Sequence, residues 1–221
     1  ELTFHYEGFV NDENASFLNE EPSIETTATV ASPSGEYPIT LAGGEAENYH
    51  FVHHGSSLVI GEGAQHIEVF EVDSNATYGD EDLQLTGIAS SGLSVGYESS
   101  NPDVLEVNGT KLKVRGAGVA VITAYQEGGA NYFAAPEVNA TVTVYTAELR
   151  AMADPKTKAY LDPVPELTFH YEGFVNDENA SALDEEPEAS TEATELSVAG
   201  EYPIILSGGE ADNYHFVHHG S

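Results

Sequence analysis

The amino-acid sequence predicts a mostly-β protein, on three observations. Apolar and polar residues alternate over short segments, and clusters of Gly, Pro, Asn and Asp separate these segments, as in half-buried strands joined by turns. Forty per cent of the 221 residues are apolar, including 12 Tyr and 9 Phe, which is enough to build hydrophobic cores. A helical pattern in the first part of the chain covers only one or two turns at Asn11–Leu18, and His66–Thr146 has none.

The chain also repeats itself. Glu1–Ser56 recurs as Glu166–Ser221 at an offset of 165 with no gap, and 43 of the 56 aligned positions are identical. We call these segments the N-terminal copy and the C-terminal copy. The differences concentrate where Ser23–Val30 faces Glu188–Glu195, which is typical of a folded module with one tolerant loop. The period indicates a tandem-repeat protein in which a different module lies between two copies.

The charge of the chain excludes several partners. The formal net charge is −32, from 38 acidic and 6 basic residues. Such a surface repels phosphate backbones and anionic lipid, so we expect no nucleic-acid binding and no membrane insertion. The chain has no Cys, so disulfides and thiolate metal sites are excluded. No signal peptide or membrane-spanning run is apparent, which we expect of a fragment that begins inside a repeat.

Each segment of the N-terminal copy has a predicted structure. The predicted elements are strands at Leu2–Glu7 and Gly35–Ala42, one or two helical turns at Asn11–Leu18, and a hairpin of Tyr49–His53 with Ser57–Ile60. Pro38 predicts that the second strand lies at a sheet edge. Asn11 or Asp12 is expected to cap the helical turn, and Asn19–Ser34 is expected to be mostly loop.

The middle of the chain predicts a β-sandwich, because about seven short strands in about 80 residues is the spacing of that fold. These strands are His66–Val72, Leu83–Ile88, Leu93–Tyr97, Val104–Val107, Lys111–Val114, Val119–Tyr125 and Val138–Tyr145. Asn108-Gly109 predicts a type I′ hairpin turn between two of them.

Two further strands, Ala147–Ala153 and Lys156–Tyr160, are predicted on either side of Asp154-Pro155, as the first hairpin of the C-terminal module. The N-terminal module lacks this hairpin, and the C-terminal module lacks the equivalent of Ser57–Ile60. Both are therefore expected to expose an unpaired sheet edge, which strands of a neighbouring molecule could complement.

The middle region resembles a bacterial Ig-like domain. The residues that carry this resemblance are Tyr78-Gly79-Asp80, the YxSSNP of Tyr97–Pro102, the Gly116-Ala117-Gly118 bend and Asn131-Tyr132. The resemblance covers nearly the whole segment and implies an Ig-like β-sandwich.

The repeated unit resembles the MBG or YDG-type repeats of large bacterial adhesins. The resemblance rests on ADPKTKAYLDPVPELTFHYEGFVNDENAS, GEYPI and GGEADNYHF; where that family has a Tyr-Gly pair, this chain has Tyr160-Leu161. It implies small grasp-like modules, each a sheet with a short helix, in an elongated tandem arrangement. The predicted domains are residues 1–62, 63–146 and 147–221.

Histidines form the first candidate metal set. His50, His53 and His54 recur in the C-terminal copy, and on a strand His50 and His54 would share one face, with His5 on an adjacent strand. Three imidazoles could bind zinc. Alternatively, these are solvent-facing polar positions of strands.

Acidic residues form the second candidate metal set. Asp73, Asp80 and Asp82 could hold calcium at one module boundary, with Glu62 nearby, although their spacing is not that of an EF-hand. Asp154 and Asp162 could do so at the other boundary. Solvated carboxylates are the alternative explanation.

Three functions are compatible with these features, and none is catalytic. Gly92–Gly96 matches a nucleophile-elbow pattern, but it reads as a strand with no helix after it. The first function, implied by the resemblances, is a stalk or spacer of a bacterial surface or secreted adhesin, with neighbouring repeats as partners. The second is binding of glycan or host protein through exposed aromatics such as Tyr132 and Phe133, with Tyr49 and Tyr214. The third is an accessory module of a carbohydrate-active enzyme.

Overall fold

The computed structural model describes all 221 residues. Apart from two single-turn 3-10 helices, Ala15–Phe17 and Ala180–Ala182, every regular element is a β-strand, which confirms the predicted mostly-β class. The structure contains no helix with the length and hydropathy needed to span a bilayer. The chain forms two compact units. The N-terminal unit comprises Glu1–Gln65 and Glu127–Ala135, and the second unit comprises His66–Gln126 and Pro136–Ser221.

The N-terminal unit contains one antiparallel sheet. Its strands are β1 (Ser23–Thr26), β2 (Gly35–Ala42) and β3 (Ser56–Ile60), in the order β1-β2-β3. The predicted strand β2 is confirmed, but it is central rather than at an edge. Pro38 is accommodated because β1 ends at Thr26, opposite Ile39, so Pro38 has a strand neighbour on one side only.

The helical turn of the N-terminal copy is shorter than predicted and has a different cap. It is a single 3-10 turn, and the side chain of Asn14 caps it by accepting a 3.0 Å hydrogen bond from the backbone N–H of Ser16. Asn11 and Asp12 lie instead in the left-handed region, with φ of 56° and 58°. Asn and Asp enter that region more readily than other side chains do, which makes them turn residues here rather than caps.

Two segments of the N-terminal copy that were predicted to be strands are not strands. Neither Leu2–Glu7 nor Tyr49–His53 belongs to a sheet, and β3 pairs with β2 rather than with Tyr49–His53. The predicted hairpin is therefore wrong.

The segment Ser23–Val30, which differs most between the copies, was predicted to be loop, but half of it forms strand β1. The side chains of β1 alternate between exposed and half-buried.

The segment Glu127–Ala135 completes the N-terminal unit through backbone hydrogen bonds. Gly63 N donates to Asn131 O at 2.8 Å, and Phe133 N donates to Gly63 O at 3.0 Å. The side chain of Asn131 accepts a 2.9 Å bond from Ser34 N, and Gln65 Nε2 donates to Phe133 O at 2.6 Å. These bonds position Tyr132 and Phe133.

The second unit begins with nine strands. They are β4 (Ile67–Glu71), β5 (Asn75–Thr77), β6 (Leu83–Gln84), β7 (Thr86–Ala89), β8 (Gly96–Ser99), β9 (Leu105–Asn108), β10 (Lys111–Val114), β11 (Gly118–Tyr125) and β12 (Val138–Tyr145). Sheet β5-β12-β11-β8 and sheet β6-β10-β9 share one hydrophobic core, and β4 pairs with β7. This is a β-sandwich, as predicted. The predicted strand list lacked β5. It also joined β6 and β7 into one strand, Leu83–Ile88, and it began β8 at Leu93 instead of Gly96.

Alternation along the strands builds the core of the sandwich. Ile122 on β11 and Val142 on β12 are fully buried, and they belong to the same cluster as Leu105 on β9 and Leu112 on β10. The β9–β10 hairpin is confirmed, with Asn108 paired to Lys111. Only Gly109, the first loop residue, has a positive φ, which is the type II′ pattern rather than the predicted type I′.

The rest of the second unit is the C-terminal module. Its strands are β13 (Ala147–Ala153), β14 (Phe169–Glu172), β15 (Glu188–Thr191), β16 (Ile204–Ser207) and β17 (Tyr214–His219). One sheet has the order β14-β13-β17, and β15 pairs with β16. The central strand β13 runs antiparallel to β14 and parallel to β17. The predicted first strand of this module is therefore confirmed.

The second half of the predicted first hairpin is wrong, because Lys156–Tyr160 forms no strand. Prolines at 155, 163 and 165 remove backbone donors from this connection. The chain turns at Leu161, which has a φ of 71° and donates its N–H to Glu195 O at 3.1 Å. A left-handed conformation favours glycine, which is the residue that the resembled family has at this position.

Candidate functional site: the junction of the sandwich and the C-terminal copy

The sandwich passes into the C-terminal module with almost no linker. Thr146 alone separates β12 from β13. On one side of it, Tyr145 O accepts a 2.8 Å bond from Tyr78 N, and on the other Ala147 N donates to Asn213 O at 2.9 Å. The core cluster of the sandwich continues into Ala147, Leu149 and Tyr214 of the module. The two parts therefore share one hydrophobic core.

Two tyrosines meet at this junction over one carboxylate. The rings of Tyr78, from the sandwich, and Tyr214, from the C-terminal copy, are T-shaped with centroids 5.6 Å apart. Tyr78 Oη donates to Glu178 Oε1 at 2.7 Å, and Tyr214 Oη donates to Glu178 Oε2 at 2.6 Å. Hydrogen bonds to an ionised acceptor are stronger than neutral ones, so Glu178 ties the two parts together.

The environment of the junction raises the pKa of both tyrosines. Burial, followed by the hydrogen bond to Glu178, raises the pKa of Tyr214 from 10.0 to about 12. The same two causes raise the pKa of Tyr78. Desolvation disfavours the phenolate, and the neighbouring carboxylate repels it. Both hydroxyls therefore stay protonated and remain donors through neutral and moderately alkaline pH.

Close backbone packing completes the junction. Gly79, at a φ of 96°, lies very close to Val175. A Cβ added to Gly79 would stand 2.7 Å from the side chain of Val175. Asn213 Oδ1 accepts a 2.8 Å bond from Ala117 N. Two marks of the Ig-like resemblance, Tyr78-Gly79-Asp80 and the Gly116-Ala117-Gly118 bend, thus contact the C-terminal copy.

The N-terminal copy carries the same junction residues. Asn48, Tyr49, Glu13 and Val10 stand 165 positions before Asn213, Tyr214, Glu178 and Val175. Tyr49 Oη donates to Glu13 at 2.5 Å, and Val10 N donates to Tyr49 Oη at 3.3 Å. In the C-terminal copy, Val175 N donates to Tyr214 Oη at 3.1 Å. The half of the junction contributed by the repeat is therefore formed in both copies.

The structure does not assemble the predicted histidine site. No group of three or more His, Asp or Glu side chains is arranged to hold a metal ion. His5, His50 and His54 are exposed, and His5 Nε2 lies 3.4 Å from Glu7. His53 stacks on Phe51 with ring centroids 6.0 Å apart. The zinc set is thus not brought together. The imidazoles face solvent, as the alternative expected, but in the N-terminal copy they do not lie on strands.

The predicted calcium carboxylates are not grouped either. The side chain of Asp80 accepts a 2.7 Å bond from Thr77 N, while Asp73 and Asp82 are exposed surface residues. Asp154 accepts from Thr168 Oγ1 and lies 2.8 Å from His170 Nδ1. The hydrogen bond from Thr168, followed by that from His170, lowers the pKa of Asp154. The carboxylates of Asp80 and Asp154 thus act as local hydrogen-bond acceptors.

The four aromatics considered for ligand binding do not share one environment. Tyr214 is only 4% exposed and belongs to the junction, so it is not available to a ligand. Tyr49 packs edge to face on Phe9. Tyr132 and Phe133 are 36% and 58% exposed and adjacent in the chain. Of the four, Tyr132 and Phe133 are therefore the aromatics that remain accessible to a ligand.

The nucleophile-elbow pattern lacks the strand–turn–helix geometry of that motif, and the strand predicted for this segment starts only at Gly96. Ser94 lies in the turn and loop between β7 and β8, and a strand follows it rather than a helix. The geometry that exposes a nucleophile at a strand–turn–helix bend is therefore missing there.

Sequence reasoning missed Glu178 and Asn213, which hold the junction together. Both are identical in the two copies, but so are neighbouring acidic residues such as Asp177, Glu185 and Glu186. The repeat therefore gave no signal that distinguished Glu178 from a solvated carboxylate.

Comparison with known proteins bears on the repeated unit. The family model described as the MBG domain (YGX type) matches residues 1–59 and 149–220, which together exceed half of the chain. No curated protein matches the chain significantly. The matched segments are the two copies with β13 and the connection after it. The chain therefore belongs to the MBG domain (YGX type) family, with one matched segment before and one after the sandwich in the sequence.

Proposed function

We propose that this chain is a non-catalytic repeat region of a bacterial cell-surface or secreted adhesin-like protein, in which it acts as a stalk or spacer. Its partners in the full-length protein would be neighbouring copies of the same repeat. The observation that carries the proposal is the repetition of the junction residues Asn48, Tyr49, Glu13 and Val10 at the same offset as the rest of the copy. A set of contacts repeated once per period suits a protein in which every period performs the same mechanical task.

The close connection between sandwich and module supports a spacer. A junction with one intervening residue, a shared core and a part-buried Tyr–Glu–Tyr contact resists bending better than a flexible linker does. The acidic charge of the chain favours a solvated, non-aggregating surface. An extracellular location is part of the same proposal, since a surface or secreted protein would present this chain outside the cell.

Small-angle X-ray scattering on a chain of two complete 165-residue periods tests this function. We expect an extended particle whose maximum dimension stays the same with calcium and with a chelator. The variant Tyr78→Ala, made in both periods, removes the junction contact and should broaden the distribution of dimensions. Tyr132→Ala is a matched control, because it truncates a tyrosine outside the junction. A compact or freely jointed particle in the unmodified chain would contradict the spacer.

Binding of glycan or host protein is the second candidate. It is favoured by the adjacent exposed side chains of Tyr132 and Phe133, which backbone bonds to Gly63 hold in place. Aromatic rings presented by a rigid backbone are a common means of contacting sugars and proteins. A glycan array and a host-matrix binding screen, each repeated with both residues changed to Ala, would test it. Loss of a specific signal in the double variant would support binding.

A further inference from the structure

Identical sequences in the two copies have different structures. Phe4–Glu7 and Phe169–Glu172 have the same residues, as do Tyr49–His54 and Tyr214–His219. In the C-terminal copy these segments are β14 and β17, whereas in the N-terminal copy neither is a strand. Since local sequence is the same, the cause of the difference lies in what pairs with the segments.

In the C-terminal copy the partner is β13, which lies between the two. Ala151 and Met152 pair antiparallel with Tyr171 and His170. The same strand pairs parallel with β17 over six positions, from Ala147 opposite Tyr214 to Met152 opposite His219. No strand lies between Phe4–Glu7 and Tyr49–His54 of the N-terminal copy, and neither segment takes part in a ladder.

The side chains around this position are nevertheless already arranged in the N-terminal copy. Tyr6 meets Phe4 at 5.3 Å, Phe9 at 5.7 Å and Phe51 at 6.4 Å between ring centroids. The equivalent distances around Tyr171 are 5.4, 5.5 and 6.5 Å. The aromatic wall that β13 packs against is thus preformed where β13 has no counterpart.

Two equivalent glycines show that the position is open. In the C-terminal copy, a Cβ added to Gly173 would stand 2.6 Å from the backbone oxygen of Glu148 on β13. In the N-terminal copy, a Cβ added to Gly8 would meet no atom within 4 Å, although φ is similar at 98° and 109°.

From these observations we infer that the N-terminal copy is a strand-binding site for a segment with the sequence of Ala147–Ala153. The bound strand lies antiparallel to Phe4–Glu7 and parallel to Tyr49–His54. In an array of repeats, the period that precedes the copy supplies this strand. The inference goes beyond the spacer function and does not depend on it, because it concerns only which segment this edge binds.

The chemistry of Ala147–Ala153 fits this site. Its alternate residues Ala147, Leu149, Ala151 and Ala153 are all buried in the second unit, and three of them are small. Small side chains leave room for the large rings of the wall, and Leu149 fills the remaining space. On the other face, Arg150 lies opposite Glu172 in the strand register, and its guanidinium donates to Glu148 of the same strand at 2.7 Å. A bound strand would therefore place its own Arg–Glu pair opposite Glu7 and add no uncompensated charge of its own there.

A binding experiment on the full 221-residue chain tests the inference. The probe is a fluorescent peptide with the sequence TAELRAMAD, which is that of Thr146–Asp154. We expect saturable one-to-one binding by anisotropy. Hydrogen exchange followed by mass spectrometry should show new protection at Phe4–Glu7 and His50–His54. The identical sequences Phe169–Glu172 and His215–His219 should show no change, because β13 already pairs with them.

Two matched variants make the test specific. Gly8→Ala places a methyl group where the backbone of the bound strand lies, and should weaken binding at least tenfold. Gly43→Ala is its control, since Gly43 is in the same unit, has a φ of 72° and also has nothing within 4 Å of an added Cβ. A peptide with Leu149→Asp should likewise bind at least tenfold more weakly, because the carboxylate would face the aromatic wall.

Several results would overturn the inference. These are no saturation at about millimolar peptide, equal binding of the Leu149→Asp peptide, or protection confined to other segments. Protection of Phe4–Glu7 without peptide, rising with protein concentration, would also overturn it, because two chains would then pair at this edge. Circular dichroism of the Gly8→Ala and Gly43→Ala chains must match, so that weakened binding reports the site and not unfolding.

Discussion

Tyr78 and Tyr214 lie 136 positions apart in the chain, yet they meet edge to face and donate to the two oxygens of one carboxylate, that of Glu178. One tyrosine belongs to the sandwich and the other to the C-terminal copy. The stability of the second unit should therefore depend on contacts between the sandwich and the C-terminal copy as well as on contacts within each of them.

Removal of one hydroxyl from this junction should destabilise the second unit. Tyr78→Phe keeps the ring contact but leaves one oxygen of Glu178 without its donor, at a cost of about 2 kcal/mol. Urea unfolding measures the change in free energy. Tyr145→Phe is the control, because that tyrosine is 56% exposed, and it should cost much less. Equal effects of the two substitutions would show that the buried bond contributes nothing special.

Alkaline pH should destabilise the second unit in a defined range. The folded pKa of Tyr214 and that of Tyr171 are each about 12, above the value of 10.0 for a free tyrosine. Because a raised pKa means that the folded state holds the proton more tightly, the stabilisation is complete below about pH 10. It is lost as the pH rises from about 10 to about 12.

The loss at alkaline pH can be assigned to these residues. Unfolding free energies measured at about pH 8 and about pH 11 should differ less in Tyr214→Phe than in the unmodified chain. Phenolate absorbance should show a fraction of the tyrosines ionising above pH 10, and this fraction should shrink in Tyr214→Phe. A titration in which every tyrosine ionises near pH 10 would contradict the prediction.

Replacement of Leu161 by Gly should stabilise the C-terminal module. Leu161 has a φ of 71° and is 60% exposed, so glycine relieves a backbone penalty of about 1–2 kcal/mol and loses little burial. The greater freedom of glycine in the unfolded chain offsets part of this, which leaves a gain of about 0.5–1 kcal/mol. Leu196→Gly is the control, since Leu196 is 70% exposed and has no positive φ. It should be neutral or destabilising in thermal unfolding.

The shared core predicts that the sandwich and the C-terminal module unfold together. Leu149 on β13 is fully buried in the same cluster as the sandwich residues, so Leu149→Ala should cost about 2–5 kcal/mol. Hydrogen exchange should show that amides of β11 and of β17 lose protection by the same amount. Ile205→Ala, at a 52% exposed position of β16, should change both little. Loss of protection in β17 alone would indicate two separate cores.

Alternation of apolar residues was enough to predict most strands of the sandwich. The segment that became β11 alternates buried and half-buried positions from Ala120 to Tyr125, and the two strands of a hairpin are close in sequence. The Asn108-Gly109 hairpin depended only on local turn preferences, so it too could be predicted.

The repeat copies show what local sequence cannot decide. Gly35–Ile39 and Gly200–Ile204 have the same residues, but the first pairs with β3, whereas only Ile204 of the second lies in a strand. Phe4–Glu7 and Phe169–Glu172 show the same divergence. A strand needs hydrogen-bond partners, and these partners are distant in sequence or absent. The junction was missed for the same reason, because Tyr78 and Glu178 are 100 positions apart.

The parallel pairing of β13 with β17 determines how this module would respond to tension. Suppose that tension is applied to the chain at Ala147, the start of β13, and at His219, the end of β17. Because the two strands are parallel, the two forces act along the strands, in opposite directions and at opposite ends of the pair. Such a load slides one strand past the other, so the bonds across six paired positions must yield together. A hairpin pulled from its open end would instead separate one bond at a time. The order of strands thus gives the C-terminal module a shear geometry, in which its mechanical resistance is greatest when tension is applied between its two ends.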